Sequence, residues 1–454
     1  MRSLAPSPST TSATADTLRA WDAEHIIHPQ LVRADRLEPV VMVKGEGAYV
    51  TDITGRRYLD ATGSGLWCGQ VGHGRAELAE AARSQIAELE FFGSFWNYST
   101  EPAIRLARKL TELATPGIEQ VYFTTGGSES NEIAFMMARL YHHRRGESDR
   151  NVIIGRKNGY HGITYASRAA TGIDMYHTGV GPLPEGFIHL SAPDPYRMPD
   201  CTDVCVAELE EAIERIGESR IAAMVGEPIL GVGGMLVPPE DYWPRIHEVL
   251  KAHGILLMLD EVVSGYGRTG SWWGADQWGI EPDFLNTAKG LTSGYFPLGA
   301  TLVRDSVADV VMGSEGFPNG FTYSGHAVGC AIALENLAII EREHLIDNVR
   351  EMGAYLLAQM QSLLDLDVVG EVRGRGLMLG IELVVDKETK EPALALGKAL
   401  GSRFVQDTGV FVRNVANALV LSPPFVFDRA QCDAVVEAIG SMLERCSPDG
   451  TIRD

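Results

Sequence analysis

No apolar run in this 454-residue chain approaches the ~20 residues that a membrane-spanning helix needs, so no membrane partner is expected. Positive charge is scarce as well. The 39 Lys and Arg residues face 60 Asp and Glu, for a formal net charge of −21. Phosphates reward clustered cations, so this balance argues against a nucleic-acid partner. Cysteines number only six, at positions 68, 201, 205, 330, 432 and 446. Cys201 and Cys205 are close, but no second Cys/His pair completes a zinc set, and no metal is expected. Scattered thiols suit free cysteines in a reducing cytoplasm. The opening "MRSLAPSPSTTSATADT" lacks the apolar core of a secretory signal and the arginines of a transit peptide. It reads as a disordered tail over residues 1–18.

What the sequence does have is length and short apolar runs. The length exceeds one ordinary compact unit, which suggests two domains or one large α/β domain with additions. The runs "VYFTT" (121–125), "NVIIG" (151–155), "IAAMVGEP" (221–228), "ILLMLDEV" (255–262), "DFLNTA" (283–288) and "GATLV" (299–303) alternate with helical stretches. Continuous apolar runs of this kind suit strands of a mostly parallel sheet buried on both faces. The expected fold is α/β, with a large mostly parallel-sheet domain over residues 66–325. A smaller α+β domain is expected from residues 19–65 together with 326–454. Its first part contains a hairpin, "EGAYVTDITGRRYLDAT" (46–62). Its second part has a long helical stretch that breaks around Glu343–His344, strand-like segments, and a last helix near 429–445.

Ligands of open α/β sheets bind beyond the carboxyl ends of the strands. After "VYFTT" come Gly126, Gly127 and Ser128, opening an amphipathic helix. The free N–H groups there favour a phosphate, although an ordinary helix cap has the same appearance. After "NVIIG" come Tyr160 and His161 between glycines. Such an aromatic covers a flat ring or simply packs in a surface loop. Glu227 ends another run, where a capped or solvated carboxylate is the plain alternative. Asp260 and Glu261 end "ILLML", and a buried carboxylate there calls for a positive partner such as a protonated heterocyclic nitrogen. Lys289 ends "FLNTA". A buried lysine is the usual Schiff-base nucleophile. A phosphate cradle, an aromatic cover, an acid for a ring nitrogen and a lysine for an aldehyde together match what pyridoxal phosphate requires.

A second pattern competes. "GYGRTG" (265–270) is a G-x-G-x-x-G after a strand, with Asp283 downstream, the fingerprint of an NAD-dependent oxidoreductase. The following "SWWGADQWG" lacks helical periodicity, and Asp260 and Glu261 would set negative charge beside the phosphates. The glycines are expected instead to turn the chain under the cofactor and approach a dimer partner.

With these residues in place, the chain resembles the class III pyridoxal-phosphate aminotransferases, the ω-aminotransferase group of the fold-type I enzymes. The resemblance runs from about residue 20 to the C-terminus. It is carried by "GLWCGQVGHGR", "FTTGGSESNE", "NGYHG", "GEPILGVGG", "LDEVVSGYGRTG", "AKGLTSGYFPLGA", "GFTYSGH", "VRGRGLMLGIEL" and "LVLSPPF". It implies that Lys289 carries the cofactor and shuttles the proton, and that Asp260 pairs with the ring nitrogen. Val262 and Tyr160 would flank the ring, with His161 beside them and Glu227 near its polar edge. Gly127 and Ser128 would hold the phosphate, and Thr322 would reach the phosphate of the neighbouring subunit. Trp67, Phe95, Trp96 and Tyr160 would line the substrate pockets, with Leu66, Ile163 and Val232 setting their size. Arg413 matches the family's mobile arginine, which clamps a carboxylate and swings away for an apolar amine.

The resemblance therefore implies a homodimer with shared active sites, with a homotetramer as the alternative. The activity it implies is ping-pong transfer of an amino group from a primary amine or ω-amino compound to a keto acid, pyruvate foremost, or to an aldehyde. Aminomutase, racemase or decarboxylase chemistry on the same fold is the nearest rival. Two departures from the usual pattern stand out. Gly126 occupies a position where serine is more usual, and "SGHAVGC" replaces the commoner Ser-Gly-His-Pro.

Overall fold

In the computed structural model, which describes residues 13–31 and 38–453, all six apolar runs form strands. Strands β1 (Met42–Glu46), β2 (Tyr49–Asp52) and β3 (Arg57–Asp60) make an antiparallel meander. The main sheet contains β4 (Ile118–Thr124), β5 (Val152–Arg156), β6 (Phe187–Leu190), β7 (Ile221–Gly226), β8 (Leu256–Asp260), β9 (Phe284–Thr287) and β10 (Gly299–Arg304). Its order is β4-β10-β9-β8-β7-β5-β6. Only β10 runs against its neighbours. A third sheet holds β11 (Val369–Arg375), β12 (Met378–Asp386), β13 (Glu391–Pro392), β15 (Arg413–Val415) and β16 (Ala418–Leu421). Strand β14 (Val410–Phe411) leaves that group and pairs in parallel with β3, tying the two ends of the chain together.

Strand β8 shows why the runs are continuous. Leu257 and Leu259 belong to one buried cluster, while Leu256 and Met258 belong to another on the opposite face. Side chains alternate across a strand, and this sheet is covered on both faces, so every position must be apolar. A further core joins Ala48, Leu59, Val71 and Leu78 to Leu356, Leu379, Leu419, Phe425 and Ile439. The meander thus packs with the C-terminal segment.

The helical stretch breaks where expected. Helices Ala327–Arg342 and Leu345–Met360 meet at His344, whose φ of +53° cannot continue either one. The edge strand β6 has no counterpart among the six apolar runs. Most of the tail expected over 1–18 lies outside the described residues, but helix Ala15–His25 starts inside it. Thr14 accepts a hydrogen bond from the Thr17 N–H at 3.2 Å, and Asp16 sits favourably in the first turn.

The G-x-G-x-x-G has another use. The only helical piece close behind it is the short turn Gly274–Gln277. A Cβ at Gly267, where φ is +101°, would lie 2.9 Å from the side chains of Ile346 and Phe425. At Gly270 it would lie 3.0 Å from Arg350. Both glycines make close approaches to the chain's own C-terminal segment.

Glu261 anchors the same turn from inside. Its Oε2 accepts from Ser264 Oγ at 2.5 Å and from Gly274 N at 2.9 Å, and its Oε1 accepts from Ala275 N at 2.8 Å. Burial lifts this carboxyl from 4.5 to about 7. Between those values the folded chain holds a proton that the unfolded chain has lost, so this contribution to stability falls as pH rises. It is fully present below about 4.5 and gone above about 7. Denaturant unfolding at about pH 5 and about pH 8 should show wild type losing about 3 kcal/mol more than Glu261→Gln. Equal losses in the two proteins would clear Glu261 as the cause.

Candidate active site

Strands β4, β5, β7, β8 and β9 run in one direction, so their carboxyl ends share an edge of the sheet. The residues following each of them line one cavity of about 400 Å³. Leu66, Gly127, Ser128, Tyr160, His161, Glu227, Val232, Asp260, Val262 and Lys289 all contribute to its wall.

Asp260 is the last residue of β8 and is 3 % exposed. Its Oδ2 accepts from Asn131 Nδ2 at 2.8 Å and lies 2.9 Å from His161 Nδ1. Its Oδ1 accepts from Val262 N at 3.1 Å. A carboxylate offers about four acceptor positions, so room remains for one more donor. Among the described residues no Lys or Arg pairs with it. Lys289 follows β9 with φ of +38°, a strained conformation for a side-chain-bearing residue. Burial pushes its ammonium pKa down, against the opposing pull of Asp260, Cys68 and Glu227. Glu227 is held by Tyr160 N at 2.9 Å and Gly231 N at 2.8 Å, and burial pushes its carboxyl up. Tyr160, half-buried, is raised to about 12 by partial desolvation.

The helix Gly127–Arg144 begins at the cavity, so the N–H groups of its first turn point there without helical partners. Glu129 folds back onto Thr125, its Oε2 accepting from Thr125 N at 2.8 Å. A Cβ at Gly126 would meet no atom within 4 Å, so the backbone is open to a ligand at this point. At Gly127 a Cβ would come 2.8 Å from Val262 Cγ2. The glycine lets the helix start press against the valine. Ser128 Oγ accepts from Ile163 N at 3.3 Å, and Ile163 itself is 49 % exposed outside the cavity wall.

Trp67 is buried behind the wall. The Lys289 Nζ and the Arg413 guanidinium each lie 5.3 Å from its ring centroid. Arg413 sits on β15 and donates from Nη1 to Gly65 O at 3.3 Å. Among the described residues it has no carboxylate partner, and burial pulls its pKa down. Phe95, Trp96 and Thr322 lie apart from the cavity wall. Phe95 packs on Gly320, Trp96 is 89 % exposed, and Thr322 is exposed.

Reading the sequence missed Asn131, Cys68 and Phe296, all in the wall. Asn131 had a usable signal. It stands four residues after Gly127 on the same helix, so its side chain returns to the same end.

These residues suit a flat anionic cofactor. The carboxylate has an acceptor position left, the helix start is open, and one lysine with a depressed pKa faces the cavity. A sheet of this order with a half-buried lysine beyond a strand end suits a fold-type I enzyme using pyridoxal 5′-phosphate. The family profile described as Aminotransferase class-III matches residues 32–443. This chain therefore belongs to the class III aminotransferases. It is 40 % identical to the putrescine–pyruvate aminotransferase of Pseudomonas aeruginosa, over 89 % of this chain and 90 % of that protein. It superposes with a TM-score of 0.92 on an (S)-enantioselective ω-transaminase from Thermomicrobium roseum, 44 % identical, covering 95 % of this chain and 98 % of the other. An amine transaminase from an uncultivated Pseudomonas species, solved with pyridoxal phosphate bound, gives 0.90 at 40 % identity, over 93 % and 99 % of the two chains.

Because Gly127 presses on the β-branched Val262, Gly127→Ala should displace the helix start and weaken cofactor binding about tenfold or more. Equilibrium titration with pyridoxal phosphate measures this. Unchanged affinity would show that the helix start can shift without harm to the cradle.

Proposed function

We propose that this aminotransferase takes the amino group of a primary amine or ω-amino compound and passes it to a keto acid, with pyruvate as the acceptor. The observation that carries the reading is Arg413, a half-buried guanidinium without a carboxylate partner among the described residues, beside the tryptophan that Lys289 also faces. An arginine so placed is ready for the acceptor's carboxylate. The relative named for putrescine and pyruvate supports the same pair of substrate classes.

The residues divide the work. Asp260 supplies the acceptor for the ring nitrogen. Gly127 and Ser128 hold the phosphate at the helix start, and Val262 and Tyr160 bracket the ring. When bound, the cofactor supplies an aldehyde that carries the amino group and a ring that withdraws electrons from the reacting carbon. Lys289 Nζ, whose pKa burial draws down, takes the proton from the amine-bearing carbon as a general base and then gives it up as a general acid. Glu227 fixes the backbone of Tyr160. Trp67 walls off water between Lys289 and Arg413. Leu66 and Val232 bound the space for the amine's apolar part, and Ile163, bonded through its N–H to Ser128, stands next to it.

Visible spectroscopy tests this reading. The absorbance of the bound cofactor should fall on adding an amine and return on adding pyruvate. Lys289→Ala should perform neither step. Arg413→Ala should keep the first step and lose the second by about tenfold to a hundredfold in kcat/KM for pyruvate, the value of a bidentate charged contact. Equal loss in both halves would show that Arg413 does not select the acceptor.

A homodimer with shared sites is part of the proposal, with a homotetramer as the larger alternative. Trp96, Tyr98, Tyr165 and Tyr323 are all more than half exposed. Large aromatics so exposed favour burial against a second copy, where Thr322, Phe95 and Trp96 complete the partner's cavity. Sedimentation should give twice or four times the chain's 49.3 kDa. A monomer active at nanomolar concentration would sink this part. No helix among the described residues is long and apolar enough to cross a membrane. Six free cysteines suit the cytoplasm, the compartment we propose.

A further inference from the structure

Asp260 and Asn286 stand opposite each other in the parallel register of β8 and β9. Asn286 is fully buried and lies outside the cavity wall. Its Nδ2 donates to Asn131 Oδ1 at 2.8 Å, and Asn131 Nδ2 donates in turn to Asp260 Oδ2 at 2.8 Å. We propose that Asn286 is a positioning residue, which acts through Asn131 to hold the Asp260 carboxylate toward the cofactor's ring nitrogen.

Donors and acceptors fix the direction of this relay. Asn131 Nδ2 faces three oxygens: Asp260 Oδ2, His161 O at 2.9 Å and Gly127 O at 3.2 Å. Its Oδ1 faces the single donor from Asn286. Were Asn131 to flip, its carbonyl would point at a carboxylate and two carbonyls, so its orientation is settled by this partner set. The Asn286 donor then does two things. It fills the buried acceptor on Asn131, and it polarises the amide toward Asp260. Asn286 makes this bond while its own Oδ1 lies buried without a partner. A buried amide half-satisfied in this way is costly where an apolar residue would fit, as Leu285 and Phe284 do in the same strand. The arrangement sits at the strand position in register with Asp260. It also couples the strand that leads to Lys289 to the carboxylate on the neighbouring strand.

The proposal rests on the reading that Asp260 meets the ring nitrogen, and one experiment separates the two. Dissociation constants are measured for pyridoxamine 5′-phosphate, which forms no bond to Lys289, and for its carbocyclic analogue with C–H in place of the ring nitrogen. The proteins are full-length wild type, Asn286→Leu and Asn286→Thr. The preference of wild type for the nitrogen-bearing ligand reports Asp260. The Leu variant should lose about tenfold of that preference, by weaker binding of the natural ligand and unchanged binding of the analogue. The Thr variant, which keeps a hydroxyl donor, should lose less. If wild type shows no preference, the ring-nitrogen reading of Asp260 fails. If wild type shows it and the Leu variant keeps it in full, or weakens both ligands alike, the positioning role of Asn286 is overturned. Should the Leu variant not fold, the Thr variant decides: a partial loss of preference supports the role, and undiminished preference overturns it.

Discussion

A carboxylate buried at the end of an apolar strand governs this molecule. Removing Asp260 from water costs several kcal/mol, of which only hydrogen bonds and a positive partner can offset the larger part. The protein supplies donors from three places: Asn131 on the helix after β4, His161 in the loop after β5, and Val262 just beyond the aspartate itself. None of these segments is adjacent in sequence to another. They meet because β4, β5 and β8 point the same way within one sheet. The strand order is thus a condition for burying the charge, and one acceptor position on the carboxylate is left without a donor from the described residues.

Lys289 poses the converse problem. Burial disfavours its charge, while Asp260, Cys68 and Glu227 favour it, and burial prevails. A lysine in this balance gives up its proton more readily than an exposed one. Its presentation costs backbone strain, at φ of +38°. That strain persists because the two residues that follow, Gly290 and Leu291, are locked in place. Asn336 Nδ2 donates to Gly290 O at 2.9 Å and to Leu291 O at 3.1 Å. The helix Ala327–Arg342, which belongs in sequence to the C-terminal segment, therefore holds the turn that presents the lysine.

The sequence made the strands of the main sheet legible because each is covered on both faces and reads as an unbroken apolar run. It made Asp260, Glu227 and Lys289 legible because each ends such a run. Strand β6, "FIHL", stayed hidden, as an edge strand only half covered leaves a weak pattern. Asn131 and Asn286 stayed hidden for another reason. A buried asparagine has no signature apart from its partners, and its partners lie on other elements. Thr322 belongs to the quoted motif "GFTYSGH", whereas Phe95 and Trp96 belong to none of the quoted motifs, and all three lie apart from the cavity wall of the single chain.

The same limit explains the false dinucleotide fingerprint. Glycine spacing reports where backbone must come close to something, not what that something is. Here it is the helix Leu345–Met360 and the chain just beyond β16. Arg268, between Gly267 and Thr269, points inward and is fully buried. Its Nη1 donates to Pro423 O at 2.5 Å, its guanidinium lies 4.6 Å from the Phe425 ring centroid, and its carbonyl accepts from Leu377 N at 3.0 Å. Carbonyls and a ring face take the place of a carboxylate, and burial draws its pKa down to about 9. Pro423 follows β16, and β16 pairs with β15, which carries Arg413 opposite Val420. The segment that begins with Asp260 thereby fixes, through Arg268, the sheet that holds Arg413 over Trp67. The glycines that mimic a phosphate loop are what lets the carboxylate strand and the arginine strand be built to one another.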